Sequence, residues 1–312
     1  MKPQRVWSLC FVVGLLPVFS CKTHKRSTQT SDKKFQFLLH FLPGAKYYYT
    51  IGTETGTSVL LNNKKLETSN QSEMGLVYEV INTKSDSIFV KITYDQLHIN
   101  VKNKNGEQDL NTSNAAQSLN PLEKALGAIK GASMNMVLSS KGDVLQITGA
   151  KEIADKLLTG LNTQDAYVKE MMQQQMGKLI GDDFIKNNLA HEFKLFPDTA
   201  VYVGDSWRRK NVESGIMQFD APTTYTFTAV KGNTAEVETE SEFSNNNTTT
   251  VMGIQTVAKM EGKQEGHFET DTQTGLLMKG KSEASLEGTM QVMGRDVPVK
   301  IKISKSITAK KI

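Results

Sequence analysis

The stretch Gly275-Leu276-Leu277-Met278-Lys279-Gly280-Lys281-Ser282 fits the spacing G-x-x-x-x-G-K-[ST], which in a phosphate loop cradles nucleotide phosphates on backbone N–H groups. That chemistry needs an open, glycine-rich turn running into a helix at the Lys-Ser end. Here Leu, Leu and Met fill the interval, and Glu283-Ala284-Ser285-Leu286-Glu287 continues with period two, so the stretch reads as a strand. Ser31-Asp32-Lys33-Lys34 has the S-x-x-K spacing of an acylated nucleophile but sits in a polar segment with no scaffold to position it. The histidines His24, His40, His98, His191 and His267 lack ligand spacing, and no metal site is expected. Asp182-Asp183 could form an acid–base pair, yet adjacent carboxylates ahead of Phe184, Ile185 and Leu189 read more simply as a helix cap. Glu236, Glu238, Glu240 and Glu242 could hold a cation, but their alternation reads as the solvated face of a strand. No catalytic residue and no cofactor is assigned.

One residue does carry a defined chemistry. Lys2 and Arg5 precede an apolar run from Val6 to Val18, and Val18-Phe19-Ser20 leads into Cys21. Charged, apolar and small-residue regions in that order form a secretory signal peptide over 1–20, too short for a stable membrane span. The layout resembles the lipobox of bacterial lipoproteins, with Phe19 standing where a small residue is usual. Cys10 lies inside the signal peptide, so Cys21 is the single thiol of the mature chain and no internal disulfide can form. Cys21 is therefore assigned as the lipidation site, carrying palmitate-like acyl chains.

The remaining composition excludes some partners. Among 312 residues, 37 are basic and 33 acidic; losing Lys2 and Arg5 leaves a balance of about +2. That is too even for nucleic-acid binding. Lys22 to Lys34 is polar and aperiodic and reads, with Cys21, as a flexible tether over 21–34.

From Phe35 the dominant period is two. Leu76, Tyr78 and Val80 run into a polar turn at 83–86, and Ile88, Val90, Ile92 and Tyr94 return, which predicts a hairpin. Tyr225, Phe227 and Ala229 precede Lys231-Gly232-Asn233, and Ala235, Val237 and Thr239 return. The two hairpins align at a constant offset of 147 residues, consistent with a duplicated antiparallel unit. The lysines Lys279, Lys281, Lys300 and Lys302 are expected to pair with the glutamate row. Pro121 after Asn120 opens a short helix. Further helices are expected over Ala150–Leu161, over Asp165–Ile180 with Met171, Met172 and Met176, and after Asp182-Asp183.

Two stretches, Met134-Asn135-Met136-Val137-Leu138-Ser139-Ser140-Lys141-Gly142-Asp143-Val144-Leu145 and Phe196-Pro197-Asp198-Thr199-Ala200-Val201-Tyr202-Val203-Gly204-Asp205-Ser206-Trp207, resemble an uncharacterised lipoprotein family common in Bacteroidota. The resemblance carries no known activity and no functional residue. In the second stretch, Gly204-Asp205 reads as a turn and Trp207 as a packing anchor.

The expected fold is α+β: mainly antiparallel sheet, two duplicated curved sheets in one unit over 35–312, with β-rich halves 35–148 and 197–312 and a helical insert at 149–196. The expected function is non-enzymatic: an envelope lipoprotein, lipid-anchored at the outer membrane and facing the periplasm, that binds a hydrophobic ligand or an envelope protein. The alternative is a hydrolase whose site is assembled from distant residues. The anchor is directly testable: acyl-chain labelling present in the native chain and lost in Cys21→Ala establishes it, and labelling retained in the variant refutes it.

Overall fold

Leu42-Pro43-Gly44-Ala45 places Pro43 at the second turn position and Gly44 at φ +82°, and the Ala45 N–H donates to the Leu42 carbonyl at 3.0 Å. This type II turn delivers the chain into the first strand. The protein is described from a computed structural model covering residues 33–61, 63–161, 181–213, 219–251, 254–292 and 294–312.

Six strands come from the first half: β1 (Lys46–Leu61), β2 (Lys64–Lys84), β3 (Ser87–Asn103), β4 (Gly106–Asn111), β5 (Ser133–Ser139) and β6 (Val144–Thr148). Six come from the second: β7 (Ser206–Glu213), β8 (Phe219–Lys231), β9 (Thr234–Val251), β10 (Ile254–Asp271), β11 (Leu277–Val292) and β12 (Arg295–Lys311). They form one antiparallel sheet in the order β6-β5-β3-β2-β1-β12-β11-β10-β9-β8-β7, with β4 paired to β3 off this path. Each half is an up-and-down meander.

The expected α+β fold is corrected here. Strand accounts for 64% of the structure and helix for 11%, in one open sheet rather than two duplicated ones. The reason is the pairing of β1 with β12 from Tyr47↔Lys311 to Val59↔Val299, which fuses the two meanders along a single ladder. Three helices are described, α1 (Pro121–Gly127), α2 (Ala150–Gly160) and α3 (Asp182–Phe193). The expected helix at 165–180, with Met171, Met172 and Met176, lies outside the described residues.

Both predicted hairpins form, as β2–β3 and β8–β9. Leu76, Tyr78, Val80, Ile88, Val90 and Ile92 in the first and Tyr225, Phe227, Ala235 and Val237 in the second are buried, and each hairpin has a register shift at the same place, between Val80 and Asn82 in one and between Phe227 and Ala229 in the other. These bulges share the 147-residue offset of the sequence alignment. A shared bulge is a backbone feature that alternation alone does not produce, and the two hairpins carry it at equivalent positions.

The main core covers the half of the sheet nearest the β2–β3 and β8–β9 turns. Phe35 bridges to Val201, and Phe37, Phe196, Phe227 and Trp207 stack behind it. Tyr49 and Tyr78 lie 4.4 Å apart in a second stack that Phe193 extends. As expected, α1 opens at Pro121, and Asn120 caps it, its side chain accepting from the Leu122 N–H at 2.9 Å. Asp182 serves a neighbour instead of its own helix: its carboxylate accepts the Ala150 N–H at 3.0 Å, at the start of α2.

The helical segment joins the two ends of the strand order. α3 packs on both β6 and β7. Lys186 reaches the Leu145 carbonyl of β6 at 2.9 Å, while Arg209 of β7 donates to the carbonyls of Lys194 and Phe196. Lys194 in turn binds Asp143 and, at 3.2 Å, Asp198. Burial works against the Asp143 carboxylate, but the hydrogen bond and charge of Lys194, with Ser139 and Arg209 behind them, hold its pKa below the usual range.

Gly142 locks this junction. It sits at φ +87°, and a Cβ there would meet the Phe193 carbonyl oxygen at 2.2 Å. Gly142→Ala is expected to cost on the order of 3 kcal/mol from left-handed strain and backbone displacement. Its urea midpoint should fall well below that of a Gly232→Ala control, which has a similar φ and nothing within 4 Å of the added methyl.

Candidate functional site

The strand register sorts the side chains into cross-strand rows, and the rows define the chemistry of each face. On the face that carries the helices, Met74, Ile51, Ile307, Gly280, Phe268, Val237 and Phe227 form one row at the limit of the main core. Two residues further along each strand the row changes character: Ser72, Thr53, Lys305, Ser282, Gly266, Thr239, Tyr225 and Trp207. Beyond this polar belt the face becomes apolar again on β9–β12. There Phe243, Met260, Ala284, Leu286 and Val299 form a second cluster, with Val59, Ile301 and Ile303 packed against it.

The neighbouring hairpin β1–β2 keeps polar side chains on that face. Thr53, Thr55 and Thr57 stand opposite Ser72, Asn70 and Thr68. Phe243, Met260, Ala284, Leu286 and Val299 are buried within the cluster, and the half-buried Val59, Ile301 and Ile303 form its margin beside the hydroxyl- and amide-bearing hairpin.

The belt is closely hydrogen-bonded on its β7–β9 side. Asn211 donates to Thr223 at 3.0 Å and to the Tyr225 hydroxyl at 2.8 Å, and Thr223 meets Ser241 at 2.8 Å. On its β12 side it holds an ion pair: Lys305 Nζ lies 2.8 Å from Glu192 Oε1 of α3. The Glu192 side chain is only 10% exposed, and its Oε2 is buried without a hydrogen-bond partner among the described residues, as is the Tyr78 hydroxyl. Burial first, and the charge of Glu192 second, push the Tyr49 and Tyr78 hydroxyls well above the usual tyrosine range. Both are neutral donors at physiological pH.

The opposite face is charged. Glu238 lies across from His267 and then Lys281; Glu242 from Lys263, Ser285 and Lys302; and Glu240, Glu265 and Glu283 stand side by side. The lysines expected to pair with the β9 glutamates do not reach them, because β10 intervenes. Lys279 pairs with Glu269 at 3.3 Å, Lys281 with Glu283 at 2.7 Å and Lys300 with Glu287 at 2.9 Å. The Lys281 hydrogen bond holds the Glu283 carboxyl below its usual range. No group of three or more potential metal ligands occurs among the described residues, the glutamate row included. Three shallow hollows of about 550, 640 and 780 Å³ lie on this face between its long side chains.

The other sequence candidates do not converge. Gly275 occupies the β10–β11 turn at φ +72°, and Gly280 lies within β11 beneath the Phe268 ring, where a Cβ would come within 2.6 Å of a ring carbon. Both glycines of the phosphate-loop pattern therefore have packing reasons. His98 pairs with Asp109 on the exposed β3–β4 ladder, and His267 approaches Glu269 at 3.9 Å. Cys21 and Ser31 lie outside the described residues. Glu192 and Lys305 were missed, and the only available signal was Lys305 falling on the apolar parity of Ile303 and Ile307.

The fold defines an open, up-and-down antiparallel sheet whose first and last strands pair. The chain belongs to a family of unknown function (DUF6263), which matches residues 85–277. No curated protein matches it. Among solved structures it is similar to an outer-membrane channel from Pseudomonas putida F1, at 6% identity over 87% of this chain and 97% of the other, with a TM-score of 0.27. It is also similar to the translocator domain of an autotransporter from Neisseria meningitidis, at 5% identity over 86% and 89%, with a TM-score of 0.22. Among the described residues no helix is long and apolar enough to cross a membrane.

The ion pair of the belt yields a thermodynamic prediction. Lys305→Met leaves the Glu192 carboxylate buried without its cation and should cost on the order of 2 kcal/mol, below the range for fully buried pairs because Lys305 is 38% exposed. Replacing both, as Lys305→Met with Glu192→Leu, should recover most of that loss. Denaturant midpoints of the two single variants and the double variant measure it.

Proposed function

We propose that the protein is a non-enzymatic binding module of the bacterial envelope. Acyl chains on Cys21 hold it to the outer membrane, and the sheet faces the periplasm. The N-terminal layout around Lys2, Arg5 and Cys21 supports the anchor, and the apolar rows beyond the polar belt support the binding role.

The observation that carries the binding reading is strand length. β1, β2 and β9–β12 each run 16 to 21 residues, while the helix-packed core uses only the part nearest the type II turn. The rest of the face is a separate apolar cluster, bounded by polar rows that can fix the orientation of an amphiphilic guest. Hydrophobic sites with a few placed polar groups are the usual form of small-ligand and peptide pockets. Where sheet and described helices meet, stacked aromatics fill the space, so the guest is assigned to the far cluster and not to the main core.

Native mass spectrometry of the protein purified from its own envelope tests this reading. A co-purifying lipid or protein segment is expected, and it should be lost in Thr55→Trp, which places a large ring on the half-buried polar stripe beside Ile303. An unchanged thermal midpoint would show that the variant folds. A native protein that carries no guest, or a guest retained in Thr55→Trp, overturns the proposal.

A further inference from the structure

The two ends of the sheet differ in what they can touch. Lys33 and Phe35 lie at the end marked by the type II turn, since Phe35 pairs with Val201 and His40 donates to Thr274 in the β10–β11 turn. Cys21 is twelve residues before Lys33, a reach of at most ~40 Å. The 16 residues of β1 carry the sheet about 50 Å away from that end. Only the near end can rest on the membrane that holds the acyl chains while the sheet stands upright.

That end carries an unusual surface. Leu42 is 72% exposed at the turn, Ile81 53% and Ile312 59%. Backbone hydrogen bonds gather all three around one point: Gly44 N–H to the Val80 carbonyl at 2.7 Å, Val80 N–H to Ala45 at 2.9 Å, and Ile312 N–H to Lys46 at 3.0 Å. A single exposed leucine is ordinary, but three aliphatic side chains around a rigid Pro-Gly turn form a patch. Lysines rim it. Lys46 is paired with Glu79 at 3.1 Å, and Lys310 lies over the Tyr48 ring at 5.5 Å. Lys84 and Lys311 are exposed and have no acidic partner among the described residues. Aliphatic tips ringed by ammonium groups match the boundary between acyl chains and lipid phosphates.

We propose that this end is a membrane-docking surface: Leu42, Ile81 and Ile312 enter the acyl boundary, and Lys84 and Lys311 meet lipid phosphates. The inference rests on the lipid-anchor reading, because the anchor supplies the local concentration that makes so small a patch effective. Docking would hold the sheet upright and keep the far apolar cluster about one strand length from the bilayer.

The full lipidated chain provides the test. With the Cys21 sulfur occupied by lipid, Leu42→Cys and Leu60→Cys each introduce one free thiol for an environment-sensitive fluorophore. Leu60 is the control, being exposed at the opposite end. In phosphatidylethanolamine–phosphatidylglycerol vesicles bearing headgroup nitroxides, the label at 42 should shift to the blue and be quenched, and the label at 60 should do neither. Lys84→Glu with Lys311→Glu should reduce the quenching at 42. No quenching at 42, or equal quenching at both sites, overturns docking. Emission at 42 that changes with protein concentration before vesicles are added assigns the patch to a second copy of the chain and also overturns it. Acyl labelling of the same preparation separates the two readings: acylated protein with no quenching at 42 overturns docking alone, and unacylated protein refutes the anchor and, with it, the docking that depends on it.

Discussion

The pairing of β1 with β12 is the constraint on which the rest of the structure depends. It joins the first and last strands over thirteen residue pairs and converts two meanders into one sheet. Without it each half would carry an unpaired strand edge of 16 or more residues, a known template for aggregation. With it, the open edges move to the middle of the chain, to β6 and β7. Both are short, and α3 lies across them.

This arrangement explains why the helical segment has so many specific polar contacts for its size. A gap between two sheet edges exposes backbone groups that water or side chains must satisfy. Arg209 supplies two donors to the chain following α3, Lys186 caps a β6 carbonyl, and Lys194 gathers Asp143 and Asp198. Gly142 allows the backbones to meet closely enough for that network to close. The polar belt on the helix-bearing face belongs to the same logic. Glu192 ties the end of α3 to β12, so the element that closes the gap is also fixed to the strand that closes the sheet.

Much of the local structure was legible in the sequence. Period-two alternation placed the β2–β3 and β8–β9 hairpins, and the 147-residue offset between them is matched by their bulges. Asn120-Pro121 marked α1, and the break from period 3.6 removed the phosphate-loop reading. The fold class was not legible. The balance between helix and strand was overestimated for helix, because β4 and β10 lack clean alternation and were not read as strands. Nor could the partners of Lys279, Lys281 and Lys300 be foreseen, since the order of β10 and β11 across the sheet decides them.

The sequence by itself determined the features that depend on neighbouring residues: Cys21 directly after an apolar run, the parity of each strand, and the turns at Pro43-Gly44 and Gly232. These follow from local sterics and from a side-chain period of two, which need no knowledge of the partner strand. Only the tertiary structure decided which rows those parities build. The polar belt, the far apolar cluster and the cluster of Leu42, Ile81 and Ile312 are assembled from residues up to 270 positions apart. Cross-strand register fixes them, and register is set by pairings that span the whole length of the chain.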